Sequence, residues 1–398
     1  MRRYSRYGVF MKSFNFALVL AAAGCLMMGC ASTSNSTAAD TTNTAAEVVD
    51  PAQEAAAATA AMIQADKSID PACKKTIVQM VTKQNGAHHY LLDDASLWEI
   101  NDSGEARMIK KLPDAADTYK LIPSDDVIIH YTGDKIMLTH IETNTELFRL
   151  AGDASMKTVM FTPNNLEMAT RDSGNVFNVW NVPKRFSGIQ ISETVQDFIN
   201  RQSPDRKLKF SVDAYAVSLT NEGRAILASD DAANNKIGLI YFMDDKNAKG
   251  TLKATGRANA HITHLAIALS GNNVAAVDEN GKLYVSSTGE DKGFKVYARN
   301  YTNMKNVKFV GEDVLAIEND KLTRIDIASG MVKWSMPDVV KTCYAPSSDR
   351  ILCVTDDVVH EIDGNTGKID RIVFFNSDKF GYIHDGKLYG TADQTCFK

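Results

Sequence analysis

Paired histidines, acidic turns and cysteines are the residues of this chain whose types and spacing could do chemistry. His88 and His89 are adjacent, and His261 and His264 form an HxxH. Imidazole is a common metal ligand, but strand residues one or three apart point to opposite faces. Neither pair has a third ligand at metal-site spacing, so both read as structural or exposed histidines with no metal and no cofactor. "DENGK" at 278–282 and "DGNTGK" at 363–368 have the oxygen-rich look of calcium loops. Both lack the acidic residue that closes a twelve-residue loop and read as hairpin turns. "SDD" at 229–231 and "TDD" at 355–357 recur at similar places in their segments, which also argues for turns. The chain has no nucleophile elbow, phosphate-cradling glycine loop or zinc-protease motif, and no catalytic residue is assigned.

The chain has six cysteines, and two of them, Cys25 and Cys30, each follow a glycine near the end of one apolar run. Arg2, Arg3, Arg6 and Lys12 precede that run, which extends uncharged from Phe14 to Met28. A basic start, a short apolar stretch and small residues at its end form a secretion signal. The run is short for a membrane span and gives way quickly to polar residues. Its end resembles the bacterial lipoprotein signal, in which an aliphatic residue and small residues precede the cysteine that receives lipid. Ala22-Ala23-Gly24-Cys25 has the better small residues, whereas Met27-Met28-Gly29-Cys30 leaves a fuller apolar core and runs straight into a polar stretch. Cys30 is preferred and Cys25 is the alternative; an ordinary cleaved signal or an uncleaved anchor are the competing readings. The resemblance implies an envelope protein of a diderm bacterium. Ala31 stands where an aspartate would favour inner-membrane retention, so the implied address is the inner leaflet of the outer membrane, facing the periplasm. Met11, followed by Lys12, is an alternative start to Met1.

Residues 1–29 hold four basic and no acidic residues, so their removal takes the net charge from −5 to −9. No dense basic face exists, and nucleic acid is a poor partner. Residues 30–50 carry the lipidated cysteine and a small, polar run that reads as a disordered tether. Residues 51–72 hold an alanine-rich helix and a linker, with Asp50 able to cap, Pro51 at the first helical position and Gln53 three after the cap. Its face is thinly apolar, so the helix is expected to lean weakly on the body or stand clear of it. The folded body begins near Cys73.

From there short alternating strands are broken by Gly, Asn and Asp, and one shape recurs. Units start near 90, 127, 166, 226, 273, 313 and 350, each reading strand, tight turn, strand, turn, strand. Several are preceded by a further apolar strand. Four strands per unit of roughly 37–47 residues is propeller-blade spacing, because such a sheet hides both apolar faces only by stacking radially on its neighbours. The expected fold is all-β: a β-propeller over 73–398 with seven blades, eight being the alternative. "KFGYIHDGKLYGTAD" then supplies one or two more strands, expected to close the ring by pairing into the first blade's sheet.

"MKTVMFTPNNLEMATRDSGNVFNVWNV" at 156–182, with Trp180 ending a third strand, resembles a WD40 unit, and 261–287 is a second, weaker match. "RIDIASGMVKW" and "EIDGNTGKIDRI" are more similar to the quinoprotein-like turn. Asn181 stands where the WD40 pattern has aspartate, so that family's buried histidine–aspartate chain does not carry over. These resemblances imply architecture and say little of function.

The interval from 166 to 226 is longer than the others, and the surplus is 186–210. Ser192 can cap a helix there, with Val195, Phe198 and Ile199 on one face and Ser203-Pro204 at its end. This helical insertion either packs on its own ring or contacts a partner, and is the candidate interaction feature. Cys343 and Cys353 flank a hairpin centred on Ser348 and would face each other across it. Cys73 and Cys396 lie at the ends of the body, which ring closure would bring together. Four reduced thiols are the alternative.

The expected function is a lipid-anchored periplasmic propeller that scaffolds or docks envelope proteins, more a binding module than an enzyme. One version resembles the propeller lipoprotein family of outer-membrane barrel assembly. The rival readings are a periplasmic propeller enzyme, lactonase- or quinoprotein-like, with residues gathered at the channel mouth, and a sensor of small ligands or glycans.

Overall fold

The computed structural model describes residues 51–398, except 84, 102, 154–158, 163, 173–175, 190–202, 211, 213, 222–223, 244–251, 259, 288–294, 297–300, 302–303, 319–320, 337–341, 345–348, 356, 377–378, 393 and 397–398. Seven antiparallel sheets follow one another along the chain, each a meander whose neighbours in sequence are neighbours in the sheet. They form a seven-bladed β-propeller with blades at 77–111, 119–150, 159–209, 216–257, 262–296, 304–336 and 342–390. The repeat starts read from the sequence fall on the second strand of each blade, such as Asn273–Asp278 and Asp313–Glu318. The strand before it is the inner one.

Burial explains the ring. Each blade-to-blade seam holds its own apolar core. Leu97 and Ile128 share one between the first and second blades, and Ile129 and Trp180 share the next. The series continues around the ring and returns to its start, where Tyr90 and Trp98 of the first blade pack on Val373 and Phe375 of the seventh. Alternating side chains send one set to each neighbour, so a strand such as Ile351–Val354 is buried on both faces.

The tail differs from expectation. Lys379–His384 and Lys387–Gly390 do not enter the first blade; they continue the seventh blade's sheet as its fifth and sixth strands. The first blade already draws its four strands from residues 77–111. Closure rests instead on the shared core, on the Cys73–Cys396 disulfide and on hydrogen bonds from Asp70 N to Cys396 O and from Lys75 N to Phe375 O, both 2.8 Å.

The helix Pro51–Lys67 is docked, not detached. Met62 is buried with Ile69 against the seam of the sixth and seventh blades. Thr59 Oγ1 accepts from Ile369 N at 3.3 Å, and Lys74 Nζ meets Asp66 at 2.8 Å. An alanine-rich surface needs few large residues to sit closely on a sheet, which the count of apolar residues underestimates.

The 186–210 segment is also reassigned in part. Arg206–Lys209 is the fourth strand of the third blade, paired with Val176–Val179, and only Leu208 of its four residues is fully buried. Asn181 caps a short helix, Val182–Phe186, by accepting from Lys184 N at 2.9 Å. Val195, Phe198 and Ile199 lie outside the described residues, as do Cys25, Cys30 and Asp50.

Candidate functional site

The two histidine pairs sit in different surroundings. His88 and His89 are both buried and face opposite seams, as strand alternation requires. His88 shares a 2.8 Å hydrogen bond with Thr82 Oγ1, and burial together with Arg350 and Arg371 pushes its pKa down to about 3. His89 lies 3.3 Å from Glu99, yet burial and the Lys83 charge hold it at about 4. His261 lies 3.0 Å from Asp230 and stacks on Tyr215 with centroids 3.9 Å apart, while His264 pairs with Thr263. Tyr215 also donates to Asp230 at 3.2 Å within the fourth blade and accepts from Ile262 N at 3.2 Å, so its contacts with His261 and Ile262 latch the fourth blade to the fifth. Among the described residues no group of three or more His, Cys, Asp or Glu is placed to hold a metal ion.

The acidic turns spend their oxygens on turn backbone N–H groups and on nearby hydroxyls. Asp278 accepts from Asn280 N and Lys282 N at 2.9 Å and from the Tyr284 hydroxyl at 2.8 Å. Asp363 accepts from Asn365 N, Thr366 N and the Thr366 hydroxyl at 2.8–3.0 Å. Asp357 of the TDD accepts from Thr76 of the first blade at 3.1 Å. Cys343 and Cys353 are cross-strand partners, with Cys353 buried; the Cys343 side chain lies outside the described residues.

Lys120 and Lys308 stand on inner strands of the second and sixth blades, and burial with the opposing Lys308 charge lowers the Lys120 pKa. A small cavity beside Lys308, of about 10 Å³ and lined also by Asn306 and Leu315, has room for about one water.

The candidate site lies outside the ring. Asp385 and Gly386 take positive φ, 46° and 70°, and make the two-residue turn that matches strand twist. The hairpin they close has two different faces. Ile383 and Leu388 point to the docked helix, against Met62 and Ile63. Phe380 and Tyr382 point the other way, toward the first blade. On that second face a side-chain ladder runs outward. Arg371 donates to Glu361 through Nε and Nη2 at 2.9 and 2.8 Å. Its guanidinium carbon lies 5.2 Å from the Tyr382 ring centroid, and Tyr382 stacks on Tyr389 at 5.1 Å and 14°. Gly104, at φ +84°, lets the first blade's turn close on this ladder, because a Cβ there would stand 2.6 Å from Arg371 Nη1. Tyr389 ends the ladder 42% exposed, and Met108 on the first blade's outer strand is 45% exposed.

Sequence reasoning found these strands but not their use. The usable signal was symmetric spacing: Tyr382 and Tyr389 flank the Asp385-Gly386 turn at equal distance, which makes them cross-strand partners.

No protein-family model matches the chain, and no curated protein matches it either. Among solved structures, the computationally designed Ika8 protein is similar with a TM-score of 0.51 at 13% identity, over 80% of this chain and 97% of that one. Hsv2 of Kluyvelomyces marxianus matches with a TM-score of 0.47 at 12% identity, over 79% of this chain and 98% of its own. At such identity the likeness to Ika8 speaks for the fold alone.

Proposed function

We propose that this propeller is a lipid-anchored docking module of the bacterial cell envelope, and that its cargo is another envelope protein. The observation that carries the reading is the hairpin and helix built onto the seventh blade beyond what ring closure uses. They present Tyr389 to solvent, and Met108 is exposed on the first blade's outer strand. Exposed apolar side chains set in a polar surface suit protein contact. In this reading Cys30, or in the alternative Cys25, carries lipid, and the tether of residues 31–50 lets the body search from the outer membrane's inner leaflet. The helix Pro51–Lys67 packs against the seventh blade, the blade that bears the exposed hairpin.

The test is site-specific photo-crosslinking in cells. A photoreactive residue at position 389 or 108 should capture a defined envelope protein, whereas one at Met331 or Leu269, exposed elsewhere, should not. Equal or absent capture at all four positions overturns the docking reading. Fatty-acid labelling that persists in Cys30→Ser and vanishes in Cys25→Ser would move the anchor to the alternative site.

A further inference from the structure

We infer that the partner is received as an added strand on the outer edge of Lys387–Gly390, as an extended, acidic segment with an aromatic residue opposite Tyr389. The inference rests on the docking reading and names the chemistry of its partner.

Hairpin parity supplies the first argument. A two-residue turn is closed by a hydrogen-bonded pair, here His384 and Lys387, and antiparallel pairs then alternate. Tyr382 and Tyr389 therefore form the next hydrogen-bonded pair. Leu388, between them, turns its N–H and C=O outward, away from the sheet. Among the described residues no strand pairs with that edge. Natural edges are commonly blunted by shortness, proline, bulges or lysine; this four-residue edge has no proline and no register shift, and carries Lys387.

Parity also fixes what faces Tyr389. Because Tyr389 spends its own backbone bonds on Tyr382, it meets an incoming antiparallel strand at a non-hydrogen-bonded position, where Cα atoms approach to about 4.5 Å. A side chain there lies directly beside the Tyr389 ring. It would extend the existing ladder of Arg371, Tyr382 and Tyr389 by one more stacked group, and an aromatic ring suits that place. Charge gives the remaining preference. Lys387 at the edge and Lys379 on the preceding strand favour carboxylates in the segment, with Asp385 confined to the turn.

The experiment is a selection of displayed random nine-residue peptides on the full lipidated chain in detergent, with Tyr389→Ser as the counter-selecting variant. The expected winners carry one aromatic residue flanked by Asp or Glu. Replacing that aromatic by alanine should weaken binding about 2- to 10-fold, the range of one aromatic pair. N-methylation of alternate peptide amides should abolish binding in one phase and spare it in the other, which side-chain docking alone would not produce. The distribution of thermal unfolding transitions for Tyr389→Ser should match wild type. Winners without an aromatic, winners insensitive to Tyr389→Ser, or no enrichment at all would overturn strand addition. If crosslinking from positions 389 and 108 still captures one protein, docking stands and only this mode falls. A concentration-dependent dimer abolished by Tyr389→Ser would give the edge to a second copy of the chain and also overturn the inference.

Discussion

Cys73 and Cys396, 323 residues apart in the chain, are joined by a disulfide that fastens the entry to the first blade to the exit from the seventh. The ring thus closes by a covalent staple beside a shared apolar core, where an exchanged strand would have served in many propellers. The same staple holds the segment that leads back to the docked helix, so closure and helix placement depend on one another.

Loss of that staple should lower stability by about 2–5 kcal/mol, since a long loop is freed in the unfolded chain. The Cys73→Ser/Cys396→Ser variant should melt several degrees below wild type. Dithiothreitol should bring wild type down toward the variant. A wild-type transition that dithiothreitol leaves unchanged would count against the bond.

Acid should destabilise the first blade through its two buried histidines. Their folded pKa values, about 3 for His88 and about 4 for His89, lie below the ordinary value of 6.5 because burial disfavours the charged ring. Between pH 6.5 and 4 the unfolded chain therefore binds protons that the folded one refuses. Stability is full above pH 6.5 and falls as pH drops, by up to about 1.4 kcal/mol per pH unit for each histidine. Urea midpoints measured from pH 7 to 4.5 should show this slope, and His88→Gln should flatten it. An unchanged slope in the variant would assign the acid sensitivity elsewhere.

Asp313→Ala should be among the most damaging single changes in the sixth blade. Asp313 receives Arg324 through Nε and Nη2 at 2.7 Å, with both residues buried. Arg324 and Trp334 also donate to Gly364 O in the seventh blade's turn. Removing the carboxylate leaves a buried guanidinium uncompensated, at a cost of about 3–5 kcal/mol. A denaturation midpoint within error of wild type would show that the pair adds nothing.

Trp180 fills the seam between the second and third blades and is fully buried. Trp180→Ala should cost about 3–5 kcal/mol through the cavity it leaves. Trp180→Phe should cost less, because among the described residues the indole Nε1 has no hydrogen-bond partner to lose. Calorimetry of both variants would reveal whether shape or polarity dominates there.

Gly104→Ala probes the ladder from the other side of the seam. The new Cβ would crowd Arg371 Nη1 and would sit at φ +84°, a conformation L side chains resist. Arg371 should swing off Tyr382, and crosslinking from position 389 should weaken while the ring stays folded. Undiminished capture would detach the ladder from docking.

Much of the fold was legible because it is periodic. A two-residue alternation broken by turn residues marks each strand, and repetition at blade spacing has few solutions other than a closed ring. The turns were legible too: Asp278 and Asp363 bond within a few residues of themselves, and local chemistry is written locally. The reach of local reading ends at the Lys379–Gly390 tail, whose strands were evident but whose sheet was not. Backbone hydrogen bonding carries no sequence label, so a strand can extend its own blade or close the first with the same residues.

The sequence by itself determined an all-β repeat, its turns, the burial of alternate residues and the presence of cysteines able to cross-link. The tertiary structure alone decided that the alanine-rich helix docks, that Arg206–Lys209 completes the third blade, and that the tail forms an outer edge. It also brought Glu361, Arg371, Tyr382 and Tyr389 into one ladder and left its end open. The physical reason is separation: propensity and alternation act over a few residues, whereas these contacts join strands whose adjacency exists only once the ring has closed.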